Sequence, residues 1–216
     1  MIAGRAVFER DSVTFRLEEY NWPLLTVLWR EAKQQGKPFA VLDFGGALGS
    51  AYFQNRKLLL GIEGLRWCVV EQPHYVACGR ESFETKHLRF YSNIAECLAK
   101  EHVTVALFSS VLAYLPDPWQ ILSEVTRAGV ENVMIDQTQV LNRGMKDRIV
   151  VQSVPDYIYK AQYPMRLFTQ ASLDRELAPE YECEASYDGF NSPTVLISPW
   201  QIAPYRGFIW RKRKRE

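Results

Sequence analysis

Apolar residues fall in short runs separated by polar, turn-rich stretches, and seven of these runs read as β-strands, at residues 41–44, 66–71, 88–91, 103–108, 131–136, 181–187 and 207–211. The fourth, Val-Thr-Val-Ala-Leu-Phe, is nearly continuous in apolar character, as a parallel strand buried on both faces must be. Between the runs the period changes to that of a helix. Asn21-Trp22-Pro23 reads as a helix start with proline early in the first turn, and Leu24, Leu25, Val27, Leu28 and Ala32 form its apolar face up to Gln35-Gly36. Further helices are expected at residues 50–60, 73–83, 119–127 and 168–177, while residues 1–19 read as irregular. Strands alternating with helices imply an α/β fold: a doubly wound, mostly parallel seven-stranded sheet with helices on both faces and ligands at the carboxyl ends of the strands.

The first strand runs into Asp43-Phe44-Gly45-Gly46-Ala47-Leu48-Gly49, and a helix follows. Glycines let a backbone approach a nucleoside or an anion closely, and the helix behind them points unpaired N–H groups at it. Ala47 stands at the middle position of the turn and fits there with a negative φ. Glu71 closes the second strand twenty-two residues past Gly49, where a carboxylate can accept hydrogen bonds from both hydroxyls of a ribose. Ser50 departs from the dinucleotide fingerprint, and the chain contains no GxxxxGK[ST], which removes a P-loop.

The glycine turn behind Asp43, the acid closing the second strand and the later VALFSSVLAYLPDP together resemble the class I S-adenosylmethionine-dependent methyltransferases. DRIVVQSVPDYIYKAQYP further resembles a methyltransferase family associated with bacterial surface-polysaccharide genes, and the likeness runs from about residue 38 to about residue 210. It implies the Rossmann-like methyltransferase fold, with residues 1–210 as one domain carrying an N-terminal helical segment. It also implies S-adenosylmethionine as cofactor, held by Asp43, Gly45, Gly46, Ala47, Gly49, Glu71, Gln72, Ser92, Asn93, Ile94, Ser109 and Ser110. Ser92, Asn93 and Ile94 stand where such enzymes contact adenine, although Ser92 or Asn93 equally reads as a helix N-cap. Two positions depart from the pattern: Ala113 stands where relatives carry His or Gln, and Asp136-Gln137-Thr138-Gln139 where they carry Asp-Arg-Thr-Pro.

Transfer to a hydroxyl needs a base for its proton. Asp136, closing the fifth strand, is the preferred candidate, with Tyr157, Tyr159 and Asp147 behind it. Residues 137–167 read as a long loop rich in tyrosine, the wall or lid of an acceptor pocket. The expected function is methyl transfer to a hydroxyl of a small or carbohydrate-linked acceptor. Two other classes stay open: a non-catalytic module binding the cofactor or a sugar nucleotide, and a nicotinamide-dependent dehydrogenase, which Ser50 disfavours.

Composition narrows this picture. Residues 211–216 (RKRKRE) form a basic tail, and without it 21 bases face 24 acids, a body that argues against a nucleic-acid groove. The 47% apolar content suffices for one large core. Cys68, Cys78, Cys97 and Cys183 have no CxxC spacing and read as reduced thiols of a cytoplasmic protein. Neither a leader, nor a membrane span, nor metal-ligand spacing is expected, and His74, His87 and His102 read as surface or packing residues.

Overall fold

The computed structural model describes residues 6–10, 13–35, 38–144, 146–154, 160–189, 194–198 and 200–214. The chain divides into two compact units, residues 1–107 and 108–216.

The first unit opens with a hairpin of β1 (Phe8–Arg10) and β2 (Val13–Phe15), whose Phe8 and Phe15 rings stack at 4.6 Å. Helix α1 (Trp22–Gln35) buries Leu24, Leu25, Val27 and Leu28, and the Asn21 side chain caps it by accepting the Leu24 N–H at 3.1 Å. β3 (Phe39–Phe44) is buried from Phe39 through Asp43. Helix α2 (Ser50–Leu59), β4 (Leu65–Val70), α3 (Pro73–Ser82), β5 (Leu88–Tyr91), α4 (Ile94–Lys100) and β6 (Val103–Ser109) follow. β3 pairs in parallel with both β4 and β6, and β4 with β5. The chain thus moves outward from β3 to β5 and returns to the opposite side of β3. Such a reversal is the switch point where open α/β sheets bind ligands.

The second unit contains the 3-10 turn Leu112–Tyr114, α5 (Pro118–Arg127), β7 (Asn132–Gln139), β8 (Arg148–Ser153), β9 (Gln162–Leu167), α6 (Gln170–Leu177), β10 (Tyr181–Asp188), β11 (Val195–Ser198), β12 (Gln201–Ala203) and β13 (Tyr205–Lys212). Its helices begin on side-chain caps. Asp117 accepts the Trp119 and Gln120 N–H groups at 3.1 and 3.2 Å, and Thr169 forms a reciprocal capping box with Ser172. β13 runs antiparallel to both β7 and β10. The seven strands of the main sheet have the order β10-β13-β7-β6-β3-β4-β5, mostly parallel.

These seven are the strands expected from the apolar runs, with ends moved by up to three residues. Four segments differ from expectation. Residues 1–19 contain the β1–β2 hairpin. The long loop at 137–167 contains the end of β7 and a six-residue antiparallel ladder between β8 and β9. The basic tail begins later than residue 211, because β13 carries Arg211 and Lys212, and Arg211 Nη1 lies 3.3 Å from Glu184 Oε1. β11 and β12 form a further ribbon that no apolar run announced.

Asn93 caps α4, its Oδ1 accepting the Glu96 N–H at 2.8 Å. Asn93→Ala should lower the unfolding free energy by about 1 kcal/mol, and Asn93→Ser should keep most of it. Urea unfolding reads both, and an unchanged midpoint in Asn93→Ala would show that the cap adds nothing.

Candidate functional site

In the first unit, burial of β3 carries Asp43 inside, where it is 1% exposed. Its Oδ2 accepts the Trp67 Nε1–H at 2.9 Å. The chain then folds back over this carboxylate: a Cβ at Gly46 would sit 2.5 Å from Asp43 Oδ2, so position 46 admits only glycine. The turn closes through the Gly49 N–H on the Gly46 carbonyl at 2.9 Å, with Gly49 at φ 92. Ala47 adopts φ 49, not the negative value expected of it. Holding an alanine in this left-handed region costs about 1–2 kcal/mol. α2 starts directly on the turn with no side-chain cap and no acid in its first turn, which leaves the positive end of the helix facing whatever lies there.

The register of β3 against β4 pairs Phe44 with Val70, and the Gly45 N–H donates to the Val70 carbonyl at 2.9 Å. Glu71 therefore emerges level with the first glycine of the turn. It is half-buried, and its Oε2 accepts the Gln72 N–H at 2.6 Å. Gln72 itself is exposed and starts α3. One strand further, the Ser92 N–H donates to Glu96 Oε2 at 3.0 Å, while Ile94 is buried. The Lys100 ammonium, followed by the Ser92 amide, holds the Glu96 carboxyl down at about 2. Ser92 and Asn93 thus make the N-cap arrangement that the sequence left open. The first unit also contains a cavity of about 370 Å³ lined by Glu18, Tyr20, Phe53, Arg56 and Lys57 among others, none of them in the glycine turn.

In the second unit, Asp136 is 1% exposed, with hydroxyls at both carboxylate oxygens. Tyr187 donates to Oδ1 at 3.1 Å and Ser109 to Oδ2 at 3.4 Å. The Ser110 N–H donates to the Asp136 carbonyl at 2.9 Å, and Ser110 and Gln137 adopt φ 57 and φ 49. Tyr187 reaches Asp136 because its cross-strand partner is Gly207, where a Cβ would stand 2.1 Å from the phenol ring. Burial first, then the Asp136 charge, raises the Tyr187 phenol well above its ordinary range. It stays a neutral donor.

Asp147 is committed elsewhere: its Oδ1 accepts the Thr169 N–H at 2.9 Å, and Arg166 lies 3.8 Å from its Oδ2. Tyr157 and Tyr159 lie outside the described residues. Tyr163, from the expected lid, is on β9 and meets the Tyr114 ring edge-on at 5.5 Å, and the Tyr114 hydroxyl donates to Gln152 Oε1 at 3.1 Å. The sequence missed Tyr187, because only the β10–β13 register brings it to Asp136. Among the described residues no group of three or more His, Cys, Asp or Glu could hold a metal ion.

No family model matches the chain, and no curated protein does. Solved structures do. One is the N-terminal domain of EvdMO1 in the presence of S-adenosylhomocysteine and D-fucose, at 13% identity over 95% of this chain and 90% of that one, with a TM-score of 0.57. Another is the glycopeptide N-methyltransferase MtfA complexed with S-adenosylmethionine, at 10% identity over 88% and 94%, with a TM-score of 0.55. A third is described as a pericyclic reaction enzyme, at 14% identity over 86% of this chain and 47% of that one, with a TM-score of 0.59. The chain has the S-adenosylmethionine methyltransferase fold.

On this methyltransferase fold the Tyr187–Asp136 bond makes a measurable contribution. A raised native pKa means that the contribution is complete below the phenol's ordinary value of 10.0 and is lost as pH rises beyond it. Tyr187→Phe should destabilise by about 1.5–3 kcal/mol at neutral pH. The gap to the parent protein should narrow above about pH 10. Denaturant unfolding across that range measures it, and a gap independent of pH would give Tyr187 an ordinary phenol.

Proposed function

We propose that the protein is a doubly wound S-adenosylmethionine-dependent methyltransferase acting on a hydroxyl of a small or carbohydrate-linked acceptor. The observation that carries this reading is the register of the first unit. It sets the Glu71 carboxylate level with a glycine turn that is strained at Ala47, closed over Asp43 and followed by an uncapped helix. These residues fit a nucleoside: the turn can take its flat surface against bare backbone, and Glu71 can accept from its ribose hydroxyls. The D-fucose and S-adenosylhomocysteine named for EvdMO1, and the S-adenosylmethionine of MtfA, support both the cofactor and a carbohydrate acceptor.

When bound, S-adenosylmethionine supplies a methyl group on a sulfonium that is already activated. What is left to the chain is to orient the acceptor, exclude water and take up a proton. Asp136 is assigned the proton. The Ser109 contact to Oδ2, at 3.4 Å, is longer than the Tyr187 contact to Oδ1, at 3.1 Å, and Oδ2 is assigned to the acceptor hydroxyl. Tyr114 and Tyr163, packed edge to face, offer aromatic surface on which a sugar ring can lie.

One observation favours a second reading, a non-catalytic module that binds the cofactor or a sugar nucleotide: Asp136 is almost fully buried, which restricts an acceptor's access to it.

Calorimetry should show binding of S-adenosylmethionine and S-adenosylhomocysteine in preference to NAD. Glu71→Ala should weaken it roughly ten- to a hundred-fold, the effect of losing hydrogen bonds to a charged acceptor. Glu63→Ala should leave it unchanged. Tight NAD binding without response to either sulfur nucleoside would refute the assignment, as would equal affinities of the two variants. Asp136→Asn should keep cofactor affinity and lose about 10²–10⁴-fold in release of S-adenosylhomocysteine with a glycan panel. Full activity in that variant removes Asp136 as the base, and no release with any glycan, despite tight binding, selects the module.

A further inference from the structure

The β8–β9 ribbon has one packed face and one bare face. Its register sets Val150 opposite Met165 and Arg148 opposite Leu167 on the first, and Met165 and Leu167 are buried there. On the second, Ile149 stands opposite Arg166 and Val151 opposite Pro164, with Ile149 65% and Val151 69% exposed. The β11–β12 ribbon repeats the pattern: Leu196, paired across the strands with Ile202, is 71% exposed, and Trp200 in the turn is 80% exposed. The two ribbons are tied together. Arg148 Nη1 donates to Gln201 Oε1 at 2.7 Å, and Gln201 Nε2 to the Arg143 carbonyl at 2.9 Å. Large aliphatic and indole groups left in water across two joined ribbons mark an interaction surface, not ordinary scatter.

Charge identifies the partner. Arg143, Lys146 and Lys160 are exposed along the same segment, whose one described acid, Asp147, is held by Arg166 and Thr169. β11 and β12 carry no charged residue. A symmetric contact between two copies would face these cations with themselves. An anionic bilayer meets both halves of the pattern, since acyl chains receive the apolar side chains and headgroup phosphates receive the cations. We propose that the two ribbons dock the protein onto the surface of an anionic membrane, with Ile149, Val151, Leu196 and Trp200 entering the interface. No helix among the described residues is long and apolar enough to cross a membrane. The docking is independent of whether the chain transfers a methyl group.

Co-sedimentation with vesicles tests it. The protein should pellet with phosphatidylcholine vesicles containing phosphatidylglycerol, release with added salt, and stay in solution with phosphatidylcholine alone. The triple variant Ile149→Ser, Val151→Ser, Trp200→Ser changes exposed positions and should keep the parent's thermal unfolding while losing at least about tenfold in vesicle affinity. Arg143→Gln with Lys146→Gln and Lys160→Gln should lose about fivefold per charge removed. The proposal is overturned if the parent stays in solution with the mixed vesicles, or if the triple variant binds them as the parent does. A dimer in sedimentation velocity that the triple variant abolishes would also overturn it, assigning the surface to a second copy.

Discussion

A carboxylate buried at the end of β3 shapes everything around the first unit's rim. Asp43 could not be left in an apolar core without hydrogen bonds, because desolvating an unpaired charge costs far more than one strand's packing returns. The indole of Trp67 on the neighbouring strand supplies one partner, and the chain wraps back over the carboxylate so closely that position 46 has no room for a side chain. That wrapping drives Ala47 into the left-handed region, brings Gly49 to the start of α2 and leaves the helix end without a side-chain cap. One buried acid thus accounts for the glycine, the strain and the open helix end together.

The same reasoning separates what the sequence could reveal from what it could not. The central strands of the main sheet were legible because burial on both faces demands continuous apolar character, and β3 and β6 show it almost residue by residue. The β8–β9 ribbon was not. Arg-Ile-Val-Val-Gln-Ser puts three apolar residues in a row where one face packs and the other is bare, and Pro164 interrupts its partner strand. A proline is tolerated there because the ribbon has only two strands, so its ring can face away from the ladder. The sign of φ at Ala47 could not be read either, since it is set by where Asp43 lies and not by the residue's own preference.

In the candidate site, Glu71 was legible because it follows directly on the last residue of β4, whereas Asp136 does not close its strand as expected: β7 runs on to Gln139 and sets Asp136 inside it. Asn93 was half legible. Its cap is a local matter of three residues, so the N-cap reading needed no tertiary knowledge. Tyr187 was invisible, lying fifty-one residues from Asp136 and reaching it across a strand that a glycine keeps bare. Among the described residues, two of the three non-glycine residues with positive φ, Ser110 and Gln137, flank the Asp136 group, and the third is Ala47. Strained backbone persists only where the surroundings over-determine it, and it gathers at sites where geometry matters more than stability.

A fold shared by a glycopeptide N-methyltransferase and a protein described as a pericyclic reaction enzyme cannot by itself name a reaction. The turn and Glu71 speak only to what is bound. What separates transfer to a hydroxyl from other uses of the same scaffold is a group that can take a proton, and the second unit offers one arrangement of that kind, a buried carboxylate oriented by a phenol too basic to ionise. Orientation by a neutral donor has a chemical consequence: Tyr187 holds one oxygen without neutralising the charge. An arginine in its place would hold the carboxylate more tightly but would lower its basicity.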